Sequence, residues 1–104
     1  MRTNQANGSR KKLVRERYGG EIYEYYPLGK YIVAAPGVCG GRPTFKYTRI
    51  QATFVLDLLG AGWSIERITH EYRARRITAA AVNEAIQLAK AALVKTSPAL
   101  RAAA

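Results

Sequence analysis

Catalytic and metal-binding side chains are scarce in this chain. It holds one cysteine, Cys39, and one histidine, His70. A zinc site lacks its usual ligands at that count. A Cys–His dyad would have no third group to orient it. The acidic residues number only 7 and are scattered, with no pair placed for acid–base work. No catalytic residue, metal or cofactor is therefore expected, and the chain does not read as an enzyme. A lone cysteine closes no internal disulfide, which fits a reducing cytoplasm. Long apolar runs are missing as well. None nears the ~18 residues that a bilayer span needs, and no apolar segment follows the N-terminal charges as in a secretory signal. No membrane partner is expected.

What the chain has in excess is positive charge. Lysine and arginine total 17, for a net charge of +10 over 104 residues. That balance points to an anionic partner. The charge is uneven: up to Arg17 there are six basic residues against Glu16 alone. Residues 1–20 read as a basic, mobile arm, with too little apolar surface to offset its ordering entropy. A single globular domain is expected over 21–96, followed by a tail over 97–104 that frays after Pro98.

The domain opens with an expected β-hairpin over 21–34. "EIYEYY" and "KYIVAA" are rich in strand-favouring Tyr, Ile and Val, and "PLG" between them carries turn chemistry. Alternation puts Tyr23 and Tyr25 on one face, and Ile22, Glu24 and Tyr26 on the other. Tyrosines beside basic residues can stack on single-stranded bases, or serve as core and rim of a small sheet. A turn segment over 36–50 follows, "PGVCGGRPTFKYTRI". Gly40 and Gly41 can adopt positive φ, and Pro43 drives Arg42 toward an extended conformation. The segment turns the chain from hairpin to helix. Backbone N–H groups of Gly40 and Gly41, with Arg42 and Lys46 nearby, form a candidate phosphate contact. The P-loop spacing is absent.

Three helices are expected over 51–95. Phe54, Val55, Leu58 and Leu59 share one face of the first. "TRIQ" before it has the form of a capping box from Thr48 to Gln51. "GAG" ends it. Ser64 is suited to N-cap the second helix, with Trp63 placed to staple onto Ile68. Ile65, Ile68 and Tyr72 mark its buried stripe. Thr78 is suited to cap the third, whose apolar face is Val82, Ala85, Ile86, Ala89 and Leu93. Two helices joined by a turn and packed on a preceding helix follow the logic of helix-turn-helix DNA binders, although this turn is longer than usual. The outward stripe of the third helix reads Asn83, Gln87, Lys90: Asn and Gln pair with adenine, and Lys with guanine. Thr78 and Asn83 lie near the start of that helix, and Arg73, Arg75 and Arg76 sit where phosphates would approach its N-terminus. A polar stripe is also the ordinary solvated side of an amphipathic helix.

"PGVCGGRPTFKYTRI", "LLGAGWSIERITHEY" and "ITAAAVNEAIQLA" together resemble the bacterial domain-of-unknown-function family 433. The resemblance covers roughly residues 32–93. It implies a compact helix-turn-helix-like domain, an antitoxin of VapB type, a PIN-class toxin as partner, and autoregulatory operator binding. Two departures stand out. The family usually has Gly before "TRI", where this chain has Tyr47, and a short "Y-P-x-L-T" turn, where this chain has "YRARRIT".

The expected fold class is mainly α, an N-terminal hairpin followed by a tri-helical helix-turn-helix-like core. The expected function is an antitoxin-like protein binding duplex DNA and a toxin. The alternatives are a protein–protein interaction module and an RNA binder using the tyrosine hairpin. Aromatic surface in the N-terminal half suggests a homodimer through the hairpin, with Tyr23, Tyr25 and Tyr31 at the interface.

Overall fold

The computed structural model describes residues 12–99. The first 11 residues of the expected arm and the last five of the expected tail lie outside them. The chain divides into two compact units, Met1–Ala52 and Thr53–Ala104.

The first unit is a sheet, built as an antiparallel meander. Its strands are β1 (Val14–Tyr18), β2 (Glu21–Pro27), β3 (Ile32–Ala34) and β4 (Pro43–Phe45), in that spatial order. β1 and β2 are joined by Gly19–Gly20, with φ of 63° and 84°. Two consecutive positive φ values match the primed two-residue hairpin turn, whose twist suits the strands and which glycine alone enters without strain. The turn fixes the register Val14↔Tyr25 through Tyr18↔Glu21. The expected hairpin is β2–β3, with Tyr26↔Ala34 and Pro27↔Val33 paired. Its loop is closed by the N–H groups of Leu28 and Gly29, which both donate to the Ile32 carbonyl. β4 pairs with β3, Ile32 facing Phe45.

Alternation sorts the sheet's faces. Tyr25, Val33 and Ala35 are buried together, with Val14, Tyr23 and Val38 packed against them. Ile22 and Tyr26 are exposed, as their parity requires. On that outer face Arg15 pairs with Glu24 across the strands at 2.7 Å.

The second unit is helical. α1 (Ala52–Gly60), α2 (Ile65–Glu71) and α3 (Ala79–Lys95) are separated by short turns. α1 ends in a Schellman motif: Trp63 N–H donates to the Leu58 carbonyl and Gly62 N–H to Leu59, with Gly62 at φ 99°. Ser64 caps α2, accepting from the Arg67 N–H at 3.0 Å. Thr78 caps α3, accepting from the Ala81 N–H at 3.2 Å. Ile68, Ile77, Ala81, Val82 and Ala85 are buried. Phe54 departs from its expected buried face. It is exposed and meets Tyr72 edge-on, with ring centroids 5.9 Å apart. Thr48 does not cap α1. Its hydroxyl donates to the Phe45 carbonyl and accepts from Ile50 N–H, closing the turn after β4.

The mainly α expectation is therefore corrected to α+β. Of the described residues 47% are helical and 22% lie in strands, and the strands form one four-stranded sheet. Two strands escaped sequence reading for different reasons. In β1, "VRERY", charge masked the alternation, and the strand is defined by what it pairs with. β4 has only three residues and begins with proline, which a strand tolerates at its first position.

Candidate nucleic-acid interface

The basic segment after α2 is a second helix-ending turn. Residues Arg73–Arg75 form one turn of 3₁₀ helix. Arg76 follows in the left-handed region, φ 60° and ψ 33°. Its N–H donates to the Arg73 carbonyl at 3.0 Å, and the Ile77 N–H reaches back to Tyr72 at 3.5 Å. This is the hydrogen-bond pattern of a Schellman end, with arginine where glycine is usual. The geometry seats Ile77 in the core and leaves Arg73, Arg75 and Arg76 exposed immediately before the α3 N-cap, Thr78. Arg73 is partly held: its Nη1 donates to the His70 carbonyl at 2.8 Å and lies 3.3 Å from the His70 ring.

On α3, Asn83, Gln87 and Lys90 are all exposed, while Val82 and Ala85 are buried. The polar stripe faces away from the core side of its own helix. The second unit thus brings seven expected residues onto one turn and one helix. Arg67, which sequence reading did not single out, is also exposed, and its guanidinium stacks on Trp63, 3.6 Å from the ring centroid. A basic residue four positions after a tryptophan, on the far side of the Ser64 N-cap, was the available signal.

The candidate phosphate contact in the first unit is built differently. Gly40 and Gly41 have positive φ, 65° and 86°. The N–H of Gly41 donates to Val38 and that of Arg42 to Cys39, so these groups close the turn rather than point outward. Arg42 Nη1 folds back onto the Cys39 carbonyl at 3.3 Å. Cys39 Sγ faces the Arg49 carbonyl at 3.5 Å. Lys46 is half-buried, its Nζ 4.8 Å from the Tyr25 ring centroid and 5.0 Å from that of Tyr47.

Of the expected interface tyrosines, Tyr25 is 5% exposed and donates to Glu16 at 3.0 Å. Tyr23 is half-buried and its hydroxyl accepts from the Tyr47 N–H at 3.0 Å. Tyr31 is half-buried beside Lys30. Tyr25 therefore belongs to the chain's own core, and Tyr23 to a hydrogen-bonded cluster beside it. No group of acidic, His and Cys side chains suited to a metal occurs among the described residues. No described helix is long and apolar enough to cross a membrane.

The model of a family described as protein of unknown function, DUF433, matches residues 32–89, more than half of the chain. The chain belongs to the DUF433 family. No curated protein and no solved structure matches it.

The DUF433 region spans β3 through most of α3, and β1 and β2 precede it. Tyr47 lies inside that region, at the position where the resemblance calls for glycine, and its φ is 67°. The backbone keeps the left-handed turn that glycine favours, and a bulky residue occupies it. The compensation comes from β1. Tyr47 stacks on Tyr18, with centroids 4.2 Å apart and planes 12° apart, and its hydroxyl donates to Glu16. That bond holds the Glu16 carboxylate below its ordinary value, assisted by Tyr25 and Lys46 against partial desolvation. The same bond raises the Tyr47 phenol. Lys46 is raised chiefly by the Tyr25 hydroxyl, then by Tyr47. A strand outside the DUF433 match supports a departure within it.

Proposed function

We propose that this chain binds duplex DNA through the second unit, with α3 as the reading helix, and acts as an antitoxin-like partner of a PIN-class toxin. The observation that carries the DNA reading is the exposure of basic and amide side chains along the 73–90 segment. Three arginines precede a capped helix N-terminus, and Asn83, Gln87 and Lys90 run along the same helix. Arginines at a helix N-terminus suit phosphates, because the helix dipole adds to their charge. Asn, Gln and Lys at helical spacing suit base edges in the major groove. The net charge of +10 supplies the long-range attraction. The toxin partner and a cytoplasmic setting are proposed from the family resemblance and the lone cysteine.

The tyrosine cluster favours duplex DNA over single-stranded RNA. Tyr18 and Tyr47 spend ring faces on each other, and Tyr25 is buried, so these rings are not open stacking platforms.

Anisotropy measurements with labelled duplex at rising salt test the proposal. Affinity is expected to fall steeply with salt as bound counterions are released. Arg75→Ala with Arg76→Ala should weaken binding to all sequences alike. Asn83→Ala and Gln87→Ala should instead relax sequence preference, by about 1–3 kcal/mol per lost bidentate contact. Salt-independent binding, or no binding at low salt, would refute the DNA reading. Isolation of the native complex from its own cell tests the toxin half, with a nuclease-like protein expected beside the chain.

A further inference from the structure

β2 is seven residues long, yet only its last two have a strand on both sides of the sheet or beyond β1. β1 pairs along one edge, from Glu21 to Tyr25. On the other edge β3 pairs with Tyr26 and Pro27 alone. Among the described residues, that second edge of residues 21–25 meets no strand. Parity sets which backbone groups face it. The pair flanking a two-residue turn exchanges both of its backbone bonds, so Glu21, Tyr23 and Tyr25 bond to β1. Ile22 and Glu24 therefore aim N–H and C=O toward the open edge. Tyr26 has the same parity, and it pairs with Ala34.

The chain's own strand cannot continue this row. Extending the β2–β3 register would put Pro36 opposite Glu24, where a strand residue must donate an N–H that proline lacks. The Val38 N–H instead donates to the Ala35 carbonyl at 2.9 Å, and the chain turns away. What is left is a cleft of about 290 Å³ within the first unit, lined by residues 21–24 together with Gly37, Val38 and Arg49. Gly37 and Val38 follow β3, so they stand on the β3 side of the cleft.

Donors and acceptors at alternate residues of a strand are matched by another extended backbone. A second copy fits badly, because its β2 brings β1 on the other edge, into the place of Gly37 and Val38. Charge does not select the occupant. Glu24 is held by Arg15 at 2.7 Å, and Glu21 and Arg49 have opposite signs. Exposed Ile22 offers apolar surface on the outer face, which suits a β-branched neighbour.

We propose that residues 21–25 accept an extended, uncharged, β-branched segment of another protein as an added strand, in line with β3 and antiparallel to β2. Main-chain bonds to Ile22 and Glu24 hold it, as in other peptides that add to a sheet edge. This does not rest on the DNA reading, because the cleft lies wholly in the first unit.

Amide hydrogen exchange, read by NMR on the full chain, tests the proposal. The added strand is acetylated and amidated Thr–Val–Thr–Val–Thr at about 1 mM, the range of a weak contact. In the free chain Ile22 and Glu24 should exchange fast and Tyr23 and Tyr25 slowly, since only the latter bond to β1. The peptide should slow Ile22 and Glu24 by at least about tenfold, at low and high salt alike. The same peptide N-methylated throughout should leave them unchanged. Exchange at Ile22 and Glu24 already as slow as at Tyr23 would mean that the chain or a second copy covers the edge, and would overturn the proposal. So would unchanged rates with the first peptide, or equal slowing by the N-methylated one. Slowing that vanishes at high salt would assign the effect to charge, and would likewise overturn it.

Discussion

Arg76 occupies a backbone position that glycine would hold at lower cost. A side chain at φ 60° carries a penalty of roughly 1–2 kcal/mol, and its Schellman turn needs only the backbone. Arg76→Gly is expected to raise unfolding free energy by about 1 kcal/mol in urea melts while lowering DNA affinity. A stabilised variant with unchanged affinity would remove Arg76 from the interface. Thr44 offers a second residue-scale test. It is wholly buried, and its hydroxyl has no hydrogen-bond partner among the described residues. Thr44→Val removes an unsatisfied group at constant shape, and should stabilise the fold by about 1 kcal/mol. Tyr47 connects residue chemistry to pH. Glu16 has its pKa lowered in the fold, so its contribution is present above the unfolded carboxylate value, about 4.3, and is lost as pH falls through the folded value. Tyr47 and Lys46 have theirs raised, so their contributions are complete below the unfolded values, about 10, and are lost as pH climbs through the folded ones. Tyr47→Phe removes the donor to Glu16, and should flatten the acid limb of a stability-versus-pH curve. An acid limb identical to the parent's would sink this account.

At the scale of elements, helices were more legible than strands. Ser64 and Thr78 announce α2 and α3 because a hydroxyl just before an apolar-periodic run has one common use, and both make the expected bond. Parity along 21–26 separated Tyr23 and Tyr25 from Ile22 and Tyr26, but which of the two faces is buried came only from the structure, where Tyr25 lies in the core and not at an interface. β1 was not legible. Its alternate residues are Arg15 and Arg17 outward and Glu16 inward, and an inward carboxylate looks wrong until Tyr25 and Tyr47 are seen donating to it. The partners lie 9 and 31 residues away, beyond any local pattern. The seven candidate DNA contacts were legible as residues. The left-handed Arg76 that brings the arginines to the helix start was not, since nothing in "RARR" signals positive φ. β1 also changes how the basic N-terminal segment should be cut. Deleting residues 1–11 removes Arg2, Arg10 and Lys11, and should flatten the salt slope of DNA binding. Deleting 1–20 also removes β1, leaving Glu16's partners without it and Tyr47 without its stacking ring. That truncation should lose cooperative unfolding of the sheet, read by tyrosine fluorescence, while α-helical circular dichroism persists.

At the scale of the whole molecule, the expected homodimer is constrained by which face of the sheet is free. A dimer through Tyr23 and Tyr25 requires side chains that the chain already uses internally. Tyr25 packs with Val33 and Ala35, and Tyr23 accepts the Tyr47 N–H. The opposite face of the hairpin carries the surplus: Ile22 is 52% exposed and Tyr26 36%, on either side of the Arg15–Glu24 pair. Large apolar side chains clustered on one sheet face are the usual mark of a partner site, and a two-fold arrangement is the commonest way to cover one. If the proposed homodimer forms through the hairpin, it forms on this face. Ile22→Glu should then shift sedimentation at micromolar concentration from dimer to monomer without loss of helical signal. Tyr25→Glu should do something different, burying a charge in the sheet's core and unfolding that unit. A dimeric DNA binder places two reading helices on a two-fold site, so Ile22→Glu should also lower affinity for a palindromic duplex far more than for a single half-site. Dissociation by Ile22→Glu with equal losses on both duplexes would separate dimerisation from DNA reading. A parent chain that sediments as a monomer would leave the hairpin's outer face to some other partner.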